Sequence, residues 1–133
     1  MHDMDIAYLS ILLLLVEYAV FASMVAVARS RYKVAAPAVT GNPAFERYFR
    51  VQQNTLEQLI MVIPCLWIFA ATSSPLWAAL LGFLFLICRA WYAWGYYRSA
   101  GGRHYGFLVG SWAQGALLLG AFIGVLRNMY LAI

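Results

Sequence analysis

Long apolar runs, interrupted at a few points by charged, amide and turn-forming residues, make up the pattern of this chain. The runs are Ile6 to Ala28, Leu56 to Thr72, Leu76 to Tyr97 and Tyr105 to Ile133. A helix that crosses a bilayer needs ~20 mostly apolar residues, so the pattern predicts an all-α membrane protein, a four-transmembrane-helix bundle in one domain over residues 1–133. The interruptions carry start and stop signals. Asn42-Pro43 offers an N-cap with proline at the first helical position, Ser74-Pro75 repeats it for the third helix, and Gly101-Gly102 separates the third helix from the fourth. The strictly apolar part of helix two, Leu59 to Ala71, is too short for ~30 Å of hydrocarbon, so its polar beginning counts as part of the span. Pro64 is expected to kink that helix.

The polar residues inside these helices are costly in a bilayer and define two faces. In helix two, Arg47, Arg50, Asn54 and Glu57 follow at steps of three, four and three, which places cation, amide and carboxylate on one side. In helix three, Arg89, Tyr92 and Tyr96 share a face at the same end of the bundle, whereas Trp91, Trp94 and Tyr97 fit an interfacial aromatic belt. Glu17 interrupts helix one and should face protein, either as a proton or ligand contact or as a protonated or hydrogen-bonded group packed between helices. The second reading is favoured because no basic residue lies near it in the sequence. From Arg29 to Gly41 the chain reads as a basic surface loop. Gly106/Gly110 and Gly120/Gly124 repeat the small-xxx-small spacing that lets helices approach closely, and Ser111 and Gln114 are expected to bond between helices.

Composition agrees with this pattern: 65% hydrophobic against 11% charged residues, with mean hydropathy +0.76, excludes an ordinary soluble domain. A net charge of +4 is compatible with a nucleic-acid partner, but its distribution points to topology instead. Arg29, Arg31, Lys33, Arg47 and Arg50 lie between the first and second spans, and Arg98 and Arg103 between the third and fourth. Those connections share a side, which the positive-inside rule makes cytoplasmic, with Arg127 a minor dissent. Both termini are then expected on the other side. The acidic start, Met1 to Asp5, has no basic n-region, so the first span is expected to be retained rather than cleaved. Cys65 and Cys88 sit inside apolar spans, where thiols act as small hydrophobes, and suggest neither a disulfide framework nor a metal site.

The cytoplasmic-end groups are Arg50, Asn54, Glu57, Arg89, Tyr92 and Tyr96, with Arg29 and Arg103 in adjoining loops. Cations exceed anions there. A ligand with two carboxylates, one ammonium and a peptide amide suits this set, because arginines grip carboxylates, Glu57 takes an ammonium and Asn54 an amide. Glutathione has that inventory and adds a thiol. A buried structural ion-pair network is the bland alternative.

The stretch Phe45-Glu46-Arg47-x-x-Arg50-x-Gln52-x-Asn54-x-x-Glu57, followed by Arg89-x-x-Tyr92-x-x-x-Tyr96-x-Arg98-Ser99-Ala100 and then Arg103, resembles the MAPEG superfamily, membrane proteins of eicosanoid and glutathione metabolism. The likeness covers almost the entire chain. It implies a homotrimer of left-handed four-helix bundles, with glutathione held between protomers by positions matching Arg50, Asn54, Glu57, Tyr92 and Tyr96. It further implies that Arg29 and Gln52 come from the adjoining protomer and that Arg103 stabilises the thiolate, with Tyr92 beside it. Gln58 and Ser30 depart from the leukotriene-forming member, which has a tyrosine and a second arginine there. The resemblance therefore implies a general glutathione transferase acting on a lipophilic electrophile from the bilayer, with peroxidase action on lipid hydroperoxides as a further capacity. A non-enzymatic lipid-binding protein, like the lipoxygenase-activating member, is the alternative. A small transporter would show an internal repeat and broken helices, and this chain has neither pattern.

Overall fold

The computed structural model describes residues 2–133, apart from the His2 side chain, so Met1 and that side chain, part of the acidic start, lie outside the described residues. Its helices are α1 (His2–Tyr32), α2 (Pro43–Thr72), α3 (Pro75–Arg98) and α4 (His104–Leu131), with a 3₁₀ turn Ala100–Arg103 leading into α4. Four helices are long and apolar enough to cross a membrane. The expected all-α bundle is therefore what the chain forms.

The caps sit where the sequence signals place them. The Asn42 side chain accepts hydrogen bonds from the Ala44 and Phe45 amides at 2.9 and 3.2 Å, and Pro43 opens α2. Ser74 Oγ accepts from the Trp77 amide at 3.3 Å ahead of α3. Pro64 is carried inside an α2 that continues to Thr72.

Two local expectations are corrected. Arg29 and Arg31 are in the last turn of α1 rather than in the loop, where the negative end of the helix favours cations. The helix closes when Lys33 turns to φ 56 and the Val34 amide donates back to the Arg29 carbonyl at 3.1 Å. Ser111 does not bond between helices. Its hydroxyl donates to Phe107 O of its own helix at 2.9 Å, whereas Gln114 Nε2 does cross to α2, at 3.3 Å from Met61 Sδ.

The core runs the length of the bundle in layers. Leu14, Leu66, Phe85 and Leu117 fill its centre; Phe21, Val51, Tyr92 and Tyr96 form the next cluster; Val25, Ala28, Val34 and Phe45 close the loop end. The outside is equally apolar, with Val16, Ile60, Trp77, Ile87, Trp112 and Phe122 all exposed. Such a surface is a liability in water and the expected coat in lipid.

The glycines of α4 set how closely it approaches its neighbours. Gly106 lies on the backbone of Tyr92, Gly110 on Cys88 and Phe85, Gly120 on the Phe69 ring and Gly124 on Thr72 and Ser73. A Cβ on Gly106 would stand 2.5 Å from the Tyr92 nitrogen, a backbone atom that yields only if the helices separate. Gly106→Ala is therefore expected to lower stability by ~1–3 kcal/mol, whereas Gly115→Ala, with nothing within 4 Å of the added carbon, should not. Thermal unfolding in detergent checks both.

Candidate functional site

The polar start of α2, the end of α3 and the 3₁₀ turn meet at one end of the bundle and enclose a pocket with two adjoining lobes. The polar lobe, about 260 Å³, is lined by Arg50, Gln53, Asn54 and Glu57 of α2, Tyr92 and Tyr96 of α3, and Arg103. The wider lobe, about 560 Å³, shares Asn54, Tyr92 and Arg103 and adds Ala100, Gly101, His104 and Phe107. Two guanidinium groups face one carboxylate, so the pocket favours an anionic ligand that also carries a cationic group.

Each wall has a local cause. Capping at Asn42 starts α2 early enough to bring Arg50 through Glu57 on regular helical turns. Burial of Val51 and Thr55 sets the rotation of α2, which leaves Arg50, Asn54 and Glu57 on the pocket side. Gly102 and Gly95 meet backbone to backbone, too close for a Cβ on either, and this contact folds the 3₁₀ turn back over α3. Arg103 is thereby placed with its Cζ 5.2 Å from the Tyr96 ring centroid. The Tyr92 and Tyr96 rings stand 5.7 Å apart, and Tyr92 meets Phe107 of α4 at 6.4 Å. Asn54 Oδ1 is buried and has no hydrogen-bond partner, an acceptor that a ligand N–H would satisfy.

The expected polar faces come together only in part. Arg47 leaves the set, its Nε donating to Tyr97 O at 3.3 Å across to α3. Gln52 points to α1, with Nε2 2.9 Å from the Tyr18 hydroxyl, and its neighbour Gln53 lines the pocket instead. Arg29 does not line the pocket of its own chain. Its Nη1 donates to Ala38 O at 2.6 Å and Val34 O at 3.3 Å, and its guanidinium lies over Phe45. Arg89 lies beneath the pocket rather than on its wall: it is 2% exposed, with Nη2 donating to Thr55 Oγ1 at 2.7 Å. Gln53, Ala100, Gly101, His104 and Phe107 are the lining residues that sequence reasoning missed. Gln53 stands three residues after Arg50 and four before Glu57, so helical spacing marks it. His104 and Phe107 occupy the first turn of α4 directly after Arg103.

The sequence pattern of the MAPEG family matches residues 6–123. The chain belongs to the MAPEG family. Within it, an uncharacterized protein of Synechocystis is 48% identical over 112 residues, covering 84% of this chain and 82% of that protein. Human microsomal glutathione S-transferase 2 is 41% identical over 106 residues, 80% of this chain and 70% of the relative. Leukotriene C4 synthase of Cavia porcellus is 36% identical over 110 residues, 83% and 73% of the two chains. The matched region of this MAPEG chain includes every residue that lines the pocket.

Proposed function

We propose that the protein is a membrane glutathione transferase that adds the glutathione thiolate to lipophilic electrophiles drawn from the bilayer. The observation that carries this reading is the convergence of Arg50, Asn54, Glu57, Tyr92, Tyr96 and Arg103 on one pocket. Arg50 pairs with a carboxylate of glutathione and Glu57 with its ammonium, while the unpartnered Asn54 oxygen accepts a peptide N–H. This leaves the cysteine sulfur toward Arg103 and Tyr92. There the fixed cation and the phenol hydroxyl favour S⁻ over S–H, the thiol proton passing to solvent, and the thiolate forms a C–S bond to an electrophilic carbon reaching it past Phe107 while the electron pair of the bond broken at that carbon moves onto the leaving group or the conjugated acceptor. Relatives named as glutathione S-transferase and leukotriene C4 synthase support the same assignment.

The assembly belongs to this reading. Arg29 and Gln52 do not line their own chain's pocket, and in a homotrimer they would complete the pocket of the adjoining protomer. The placement of basic residues supports a pocket on the cytoplasmic side and both termini on the other.

Calorimetry on the purified protein in detergent tests the function, with saturable glutathione binding followed by conjugation of a small lipophilic electrophile as the expected result. No binding at millimolar glutathione would replace it with a lipid-binding role. For topology, a reporter active only in the cytoplasm, fused after Ile133, is expected to be silent. Activity there would reverse the orientation.

A further inference from the structure

Arg89 is the largest of the fully buried side chains, and its surroundings are unusual. Its Nη2 donates to Thr55 Oγ1, its guanidinium carbon stands 4.0 Å from the Tyr92 ring centroid, and its Nε has no partner. A guanidinium stays charged at any working pH, and a buried charge requires a counter-charge. The chain has five acidic residues. Asp3 and Asp5 lie in the first turn of α1 at the other end of the bundle, the Glu46 carboxylate accepts from the Gly41 amide, and Glu57 lines the pocket. Glu17 is the remaining one.

Packing brings it to the right place. Phe21, Val51 and Tyr92 form one layer of α1, α2 and α3. One helical turn away from that layer, on the side toward the centre of the bundle, come Glu17 (four before Phe21), Thr55 (four after Val51 on the antiparallel α2) and Arg89 (three before Tyr92). Glu17 Oε1 is buried and, like Arg89 Nε, has no hydrogen-bond partner. These two unpartnered atoms, one on α1 and one on α3, belong to the same layer. No basic residue lies near Glu17 in the sequence; Arg89 enters its layer from another helix.

We propose that Glu17 is the buried counter-ion of Arg89, and that the pair is a positioning device beneath the pocket. Arg89 holds the Tyr92 ring from below. Glu17 cancels the Arg89 charge, so that Arg103 alone supplies the cation felt by the ligand's sulfur. The other titratable groups facing this layer are Cys88 and Tyr92 of α3 and, beyond Tyr92, Tyr96, Tyr97 and Arg103; α2 contributes uncharged Thr55, and α4 the glycines Gly106 and Gly110. The assignment rests on the glutathione reading of the pocket, and its test separates the two.

The experiment titrates the ultraviolet thiolate band of glutathione bound to the full-length protein in detergent. Glu17→Gln leaves an uncancelled cation and should move the midpoint to lower pH. Arg89→Met should leave it near wild type, because a buried carboxylate without its cation takes up a proton and becomes neutral. The Glu17→Gln shift should be about one pH unit, as expected for a unit charge roughly 10 Å away at an effective dielectric of ~20, and the double variant should return toward wild type. A merely structural role would weaken the band in both single variants without the downward shift in Glu17→Gln. That result, or an unmoved midpoint in Glu17→Gln, overturns the proposal. If the wild-type protein forms no thiolate band, the glutathione reading fails by itself, and thermal unfolding decides on the pair. Each single variant should then unfold at lower temperature and the double variant should lose less than the sum, whereas additive losses overturn the pairing.

Discussion

Replacing Arg103 with alanine is expected to leave most of the glutathione affinity intact while turnover falls ~10²-fold or more. A cysteine-type thiol has a pKa of about 8.5, so at neutral pH only about a few per cent is the nucleophilic thiolate. Arg103 lines both lobes of the pocket and is held against Tyr96 by a 3₁₀ turn that the Gly95–Gly102 contact folds into place. A preorganised charge at the reacting atom typically contributes ~3 kcal/mol to the barrier, which corresponds to the predicted loss. In the proposed binding mode the carboxylate and ammonium contacts at the far end of the ligand carry most of the affinity, so it should change little. Turnover of an electrophile, the dissociation constant and the thiolate band should be measured together. If binding, band and turnover all match wild type, Arg103 is an interfacial anchor and activation passes to Tyr92.

Arg50→Ala and Glu57→Gln should act on the other side of the ledger, raising the glutathione dissociation constant by roughly tenfold or more each. Hydrogen bonds to charged groups contribute ~1.5–3 kcal/mol, and in the proposed binding mode each variant removes the partner of one charged group of the ligand. Both side chains are exposed in the single chain and line the polar lobe, so their loss should not unfold the protein. Calorimetry on variants with unchanged melting temperature gives the answer. Unchanged affinity in both would make the α2 face structural.

Helix number, helix starts and the α2 part of the pocket were legible because they depend on neighbours in the chain. A cap needs only Asn42 and the two amides after it, and Arg50, Asn54 and Glu57 share a face through helical spacing alone. Spacing was less informative where polar residues occupy more than one side of a helix. Gln53 has the spacing of the Arg50–Glu57 face and Gln52 stands about 100° of rotation from it, but spacing does not by itself fix which way α2 faces. The burial of Val51 and Thr55 against α1 and α3 does, turning Gln52 toward Tyr18 and Gln53 into the pocket.

Depth was the second quantity that spacing could not supply. Arg89, Tyr92 and Tyr96 do share a face, yet Arg89 lies under the pocket and the tyrosines on its wall, because α2 closes over Arg89 through Thr55. The reach of α1 past Ala28 escaped the hydropathy pattern, since charged residues end an apolar run without ending a helix. Hydrophobic periodicity and capping chemistry are local, so a linear chain already carries the four helices, their starts and one polar face. Helix rotation, depth and charge partners such as Glu17 and Arg89 depend on contacts between residues far apart in the chain, and only the packing of α1, α2 and α3 around Phe21, Val51 and Tyr92 establishes them.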